Sequence, residues 1–449
     1  MADAGPVPAA DDGDTPEPLV LERALVVTVD DEDRIDRLSV AVADGRITGV
    51  APGEELRRRF PDARRIDCAR RILLPGLVNA HLHPELHILK GALEELDLHD
   101  WDDAEHFDDA LALLSSPDGR GAQRAAIRAA LADCLLTGAT CVATYGVTAG
   151  ADQTAGDELT SLGLRGATTV RDVEFAPVPP GRLPRLYRLH AEEALTPEEL
   201  QAAARAHERG ERLVMHAAET EHRLRLVQES FGATTVRLLE RYGLLSPRML
   251  LSHALYVDEE ERALLAERGV AVVSSPAAEM KLSDGIAPIA DFVERGIPVA
   301  LGTDTAVCNN GNDLFLEMRQ LGLSQKLRYG ADAMPAEQIL RAATRGGARA
   351  LGLEDQIGVI AEGAAADLIL VDAATPRLQP LVHRPDFSNV AANLVYAATG
   401  QDVTDVMIGG RWRVRDRRLA FVDGPRVWRE LGRAGRWLYR RILRPNDGE

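Results

Sequence analysis

A histidine pair closes an apolar run in Leu73-Leu74-Pro75-Gly76-Leu77-Val78-Asn79-Ala80-His81-Leu82-His83, and no other feature limits the choice of fold so sharply. Side chains alternate between the faces of a strand, so His81 and His83 are expected to point the same way. The run before them is apolar at both parities, as a strand covered on both faces in a parallel barrel should be. A third histidine, His216, follows Leu213-Val214-Met215, and a carboxylate, Asp304, follows Val299-Ala300-Leu301-Gly302-Thr303. His253 lies between them. One buried histidine is more often a satisfied core residue than a ligand. Potential ligands at successive strand ends are another matter, because the carboxyl ends of strands are where a barrel keeps its active site. Three imidazoles and a carboxylate suit one divalent metal ion, zinc first, with iron or manganese as rivals. Such a set leaves room for a water that the cation acidifies into a nucleophile.

The chain has 449 residues, more than one barrel needs, so the fold class expected is α/β: a TIM-like (β/α)8 barrel with a small β-sandwich domain built from both chain ends. Residues 1–18 are rich in Ala, Asp and Pro and are expected to be disordered. Residues 19–74 form the first part of the sandwich, with Asp44-Gly45-Arg46 as a hairpin signal. Residues 75–360 alternate strand-like runs with helical stretches and form the barrel. Residues 361–424 return to the sandwich, with Gly409-Gly410 as a turn. Asp172–Arg185 reads as a loop over the barrel mouth. In residues 425–449, Val427, Trp428, Leu431, Leu438 and Ile442 recur at helical spacing. That helix either docks on the barrel, the favoured reading, or lies on a membrane surface.

The formal net charge of -18 argues against a nucleic-acid or anionic-membrane partner, because either surface would repel it. Cys68, Cys134, Cys141 and Cys308 include no C-x-x-C pair, which argues against a disulfide framework or zinc knuckle and for a reducing cytoplasm. No run reaches membrane-spanning length, and the amino terminus lacks a signal-peptide pattern. The H-E-x-x-H protease pattern and the P-C-x-x-C deaminase signature are absent as well.

Several motifs together resemble the amidohydrolase superfamily, in its branch of cytosine, guanine, triazine and methylthioadenosine or S-adenosylhomocysteine deaminases. They are Leu74 to His83, Leu136-Thr137-Gly138-Ala139-Thr140, His216-Ala217-Ala218-Glu219, Leu251-Ser252-His253 and Leu301-Gly302-Thr303-Asp304. The likeness runs from the first β segment to near Ala420. It implies His81, His83, His216 and Asp304 as ligands of one metal, with Glu219 as proton shuttle and His253 beside the attacking water; Asp304 joins these two in the catalytic set. Many relatives bridge two metals with a lysine on the fourth strand. Here lysine occurs only at Lys90, Lys281 and Lys326, away from that strand, so a mononuclear site is expected.

For substrate contacts the resemblance points to His190, Glu279 and Cys308. His190 resembles a histidine that touches substrate in adenosine-type deaminases, although it could equally just end a strand. Ala278-Glu279 replaces a usual Ser-Asn pair and Cys308 a usual serine, which weighs against a standard adenosine or cytosine substrate. Glu85 and His87 read as loop residues rather than pocket groups. The function expected is deamination of an amino-substituted heterocycle of purine, pyrimidine or triazine type. The alternatives are hydrolysis of an amide or cyclic amidine-like bond in a modified peptide or natural-product intermediate, and an inactive scaffold. A small-molecule or modified-peptide substrate follows, and by analogy a possible homodimer.

Overall fold

In the computed structural model, residues 17–102, 104–170 and 185–443 are described. The expectations for 1–18 and for Asp172–Arg185 therefore fall, but for their last residues, outside the described residues.

Eight strands pair in parallel around a barrel: Leu77–Leu82, Ala139–Thr144, Arg165–Val170, Arg185–Arg188, Arg212–Ala217, Met249–His253, Ala271–Ser274 and Val299–Leu301. The ring closes where Leu82 bridges Asp304. Helices such as Arg120–Leu136 and Pro197–Glu208 run between them. The interior is filled by alternate, mostly small residues, among them Val78, Ala80, Cys141, Ala143, Ala167 and Ala300. This is a packed core and not a channel. A small residue also lets the closing strands approach: a Cβ placed on Gly302 would stand 2.6 Å from the Cβ of His81.

The chain ends meet in one nine-stranded sheet. Its seam is the antiparallel pairing of Arg71–Pro75 with Leu368–Asp372. Alternation assigns its two faces. Leu368 and Leu370 join Leu21, Val26 and Met407 in the small domain's own core. Ile369 and Val371 point the other way, into the cluster shared with the barrel. Asp44 and Gly45 have φ of 51° and 74°, both positive as a two-residue type I′ hairpin demands, and Gly409 and Gly410 turn the second hairpin likewise at 55° and 74°. Arg165 on the third barrel strand grips Asp367 at 2.7 and 3.1 Å, fastening the sheet to the barrel.

The last helix, Gly424–Ile442, is capped by Asp423, which accepts from the N–H of Arg426 at 3.3 Å. Its apolar stripe is covered: Val427 packs on Ala129 and Ala132, while Leu438 and Ile442 pack with Leu86, Leu89 and Trp101. Burying each of these leucine-sized side chains contributes about 2 kcal/mol. The helix docks on the barrel. Among the described residues, no helix is long and apolar enough to cross a membrane.

Candidate metal centre and active site

Residues from four strand ends converge. The Nε2 atoms of His81 and His83 lie 3.4 and 3.5 Å from Oδ1 of Asp304. Nε2 of His216 is 3.1 Å from Nε2 of His81. Simple alternation does not achieve this alone. Val78 and Ala80 already face the interior, and the pairing of the first two strands shifts register between Asn79 and Leu82, which turns His81 and His83 inward and Leu82 out. Similar breaks recur at the other ends. Ala218 and His253 have φ of 48° and 75°, and Asp304 has 59°. These left-handed turns let Glu219 come back over the site and let consecutive residues, Ser252 and His253, both reach it.

The outer nitrogens are occupied. Nδ1 of His83 is 2.6 Å from the carbonyl of Tyr145, which can only accept, so that nitrogen carries the hydrogen and Nε2 the lone pair. Nδ1 of His81 meets the hydroxyl of Ser252 at 3.1 Å, and Nδ1 of His216 lies 3.6 Å from Glu219. Burial pushes His81 down to about 4, against the pull of Asp304, and His83 well below its ordinary value. The Nε2 atoms of His81 and His83 face one carboxylate oxygen with that of His216 beside them, a set of electron-pair donors that a cation among them would satisfy. The donor set therefore fits a divalent metal ion, with its second shell in place.

His253 is the opposite case. Burial acts to discharge it, yet Glu219, Glu279 and Asp304 outweigh burial and lift it to about 10. Its Nε2 lies 3.5 Å from Glu219 and its Nδ1 3.5 Å from Glu279. Glu219 is held well below the carboxylate range: its burial is overcome by His253, Arg223 and His216. Arg223 donates to it at 2.7 Å.

A cavity of about 200 Å³ opens in front of these groups. His83, His216, Glu219 and Asp304 line one side, and Trp101, Phe107 and Met215 the apolar side. His190 lines it too, with its Nδ1 2.7 Å from the carboxylate of Glu199. Glu279 and Cys308, expected at the substrate, are not among its lining residues. The helix Pro276–Lys281 carries Glu279 behind His253, where Ser274 and the N–H of Ser275 hold it at 3.2 and 2.8 Å. Cys308 donates to Asp304 from behind, at 3.4 Å. Their identities thus bear on His253 and Asp304 rather than on the shape of the cavity. Glu85 is fully buried and accepts from the N–H of Thr148 at 3.1 Å; His87 meets Asn312 at 3.2 Å. A larger groove of about 500 Å³ lies between the helices Arg120–Leu136 and Gly424–Ile442, away from this chemistry.

Sequence reasoning missed four supporting residues. Asn79 donates to Thr303 at 2.7 Å and accepts from its N–H at 3.1 Å, tying the first strand to the eighth. Ser252 stood inside a motif already noted, and Arg223 lies one helical turn beyond Glu219, so both had a local signal. Glu192 had none. Its buried carboxyl, pushed up by burial to about 7, accepts from the N–H groups of Ala218 and Glu219 at 2.7 and 3.1 Å.

A parallel barrel with three histidines and an aspartate at its strand ends defines a class, the metal-dependent hydrolases. The chain belongs to the amidohydrolase family, whose model matches residues 186–413; a bacterial imidazolonepropionase-like composite domain matches residues 40–63. It is accordingly a hydrolase acting on C–N bonds. It is 34% identical over 427 residues to a 5-methylthioadenosine/S-adenosylhomocysteine deaminase of Syntrophobacter fumaroxidans, covering 89% of this chain and 94% of that one. It is 31% identical to a 5'-deoxyadenosine deaminase of Methanosarcina mazei, covering 94% and 99%. Among solved structures it resembles a zinc-bound adenosine deaminase from Xanthomonas campestris, with TM-score 0.86 and 28% identity over 94% of this chain and 99% of that one.

Proposed function

We propose that this chain deaminates an amino-substituted heterocycle, a small molecule of purine, pyrimidine or triazine type, by adding water to the ring carbon that bears the amino group and releasing ammonia. The observation behind this reading is the meeting of His81, His83, His216 and Asp304 beneath Glu219 and His253. The four first-named residues would hold one ion. When bound, that ion, zinc in our reading with iron or manganese as rivals, would supply Lewis-acid activation of water near neutral pH. Glu219 takes the proton of the water and delivers it to the departing nitrogen; one carboxyl serves both steps in turn. His253, cationic between two carboxylates, steadies the negative charge that develops during attack. Trp101 and Phe107 offer a flat apolar wall to the ring. His190 is the substrate-contact candidate that this cavity supports, and Glu279 acts through His253.

A homodimer and a cytoplasmic location remain part of this proposal. Leu316, Leu323 and Leu327 are exposed on the helix Leu314–Tyr329 and give a second copy an apolar stripe to cover. All four cysteines are free, which suits a reducing compartment. The test is a coupled ammonia assay of zinc-loaded protein over purines, their nucleosides, pyrimidines and triazines. Ammonia release from one class supports the reading, and silence across the panel overturns it.

A further inference from the structure

A second chamber adjoins the cavity beyond Glu219. Leu98, Arg223 and Leu282 line both, and the walls of the second, of about 200 Å³, include Asp97, Tyr256 and Asp284. Asp284 is only 7% exposed, yet among the described residues its carboxylate accepts no hydrogen bond and pairs with no cation. Its backbone is fixed all the same. The N–H donates to the carbonyl of Glu279 at 2.9 Å, and its own carbonyl accepts from the hydroxyl of Tyr256 at 2.6 Å. A rigidly held carboxylate that no protein group satisfies is left to water or to whatever enters the chamber.

Among the described residues no basic group of the chamber's walls pairs with Asp284: His99 and His222, which also line it, stack on each other with ring centroids 4.7 Å apart. The chamber's one basic side chain of the Lys or Arg type, Arg223, is engaged by Glu219 at 2.7 Å and by Glu193 at 3.4 Å, and Asp97 adds a second carboxylate. Burial, and then the charge of Glu219, push Asp284 up to about 7 against the pull of His253.

On the basis of the deaminase reading, we propose that this chamber is a substrate subsite in which Asp284 binds an ammonium or amidinium group carried by the heterocycle on the side away from the departing amine. Asp97 adds to the negative potential there. A neutral substituent leaves Asp284 unmatched, and an anionic one is repelled.

The test compares aminopurine nucleosides that differ only in a 5' ammonium, hydroxyl or carboxylate group, on zinc-loaded protein. The ammonium compound should exceed the hydroxyl compound in kcat/KM by about 10- to 100-fold, the range for a hydrogen bond to a charged group, and the carboxylate compound should be poorest. In Asp284→Asn, with zinc content checked, the ammonium preference should fall to about onefold, while Asp284→Glu should keep part of it. A wild-type ratio near one, or a ratio unchanged in Asp284→Asn, overturns the subsite. Calorimetric titration of zinc-loaded Glu219→Gln with the same compounds gives a readout without turnover. Absence of ammonia from every compound sinks the deaminase reading, whereas tighter binding of the ammonium compound, lost on adding Asp284→Asn, still supports the chamber. Equal binding of all three rejects it.

Discussion

Glu219 is pulled three ways, by Arg223 at 2.7 Å, His253 at 3.5 Å and His216 at 3.6 Å. That triangle keeps it ionised and fixes which oxygen can turn toward a water. Replacing it by glutamine preserves the shape and removes the basicity. Glu219→Gln should hold metal at the wild-type level and lose about 10³-fold in kcat; near-normal turnover would remove it as the proton carrier. His81→Ala should instead lose the metal, as elemental analysis of purified protein would show. At this scale the convergence of His81, His83, His216 and Asp304 was legible because each follows an apolar run, a pattern that reports both the strand and its tip. Glu279 and Cys308 do not line the cavity, because a short helix after the seventh strand folds back and hides one residue, while a turn after Asp304 tucks the other underneath. Nothing in residue spacing records such a reversal.

Elements, not single contacts, hold the ligands in register. The first and eighth strands touch so closely at Gly302 that any side chain there meets His81. Gly302→Ala should therefore cost about 2 kcal/mol of stability by overpacking and weaken metal binding about 10- to 100-fold by moving a ligand. A thermal melt and a competitive chelator titration measure the two effects separately. Glu317, on the helix Leu314–Tyr329, accepts from Asn309 at 2.6 Å and from the N–H of Ala277 at 3.1 Å, linking the loop after Asp304 to the helix that carries Glu279. Burial pushes its carboxyl up to about 8. Between its unfolded value, about 4.5, and about 8 the folded protein keeps a proton that the unfolded chain has released, so this group's contribution to stability is lost as pH rises through that window. Glu317→Gln should remove this slope. Its melting temperature should gain on that of wild type from about pH 5 to about pH 8, and a constant difference would exclude the buried proton. Strand-helix alternation announced the barrel, and the Asp44-Gly45 turn announced a hairpin. The register shift at Asn79–Leu82 left no mark in the sequence, because a bulge changes pairing without changing composition.

At the scale of the molecule, the two chain ends meet in one sheet, fastened to the barrel through Arg165 and Asp367. That reunion was visible as two distant β-rich segments, although their edge-to-edge pairing was not, since strand partners hundreds of residues apart share no local signal. The barrel's own joint is of a different kind. Thr303 and Asp304 both donate backbone hydrogen bonds to the carbonyl of His81, at 3.1 and 2.9 Å, and His83 donates to the carbonyl of Asp304 at 3.1 Å. The residues that lock the staves together are the same ones proposed to hold the ion, so stripping the ion should be felt as mechanical slackness along one seam. Deuterium uptake after chelation should quicken in 77–83 and 299–304 before it does so in the remaining staves, making catalytic competence and closure of the hoop a single property.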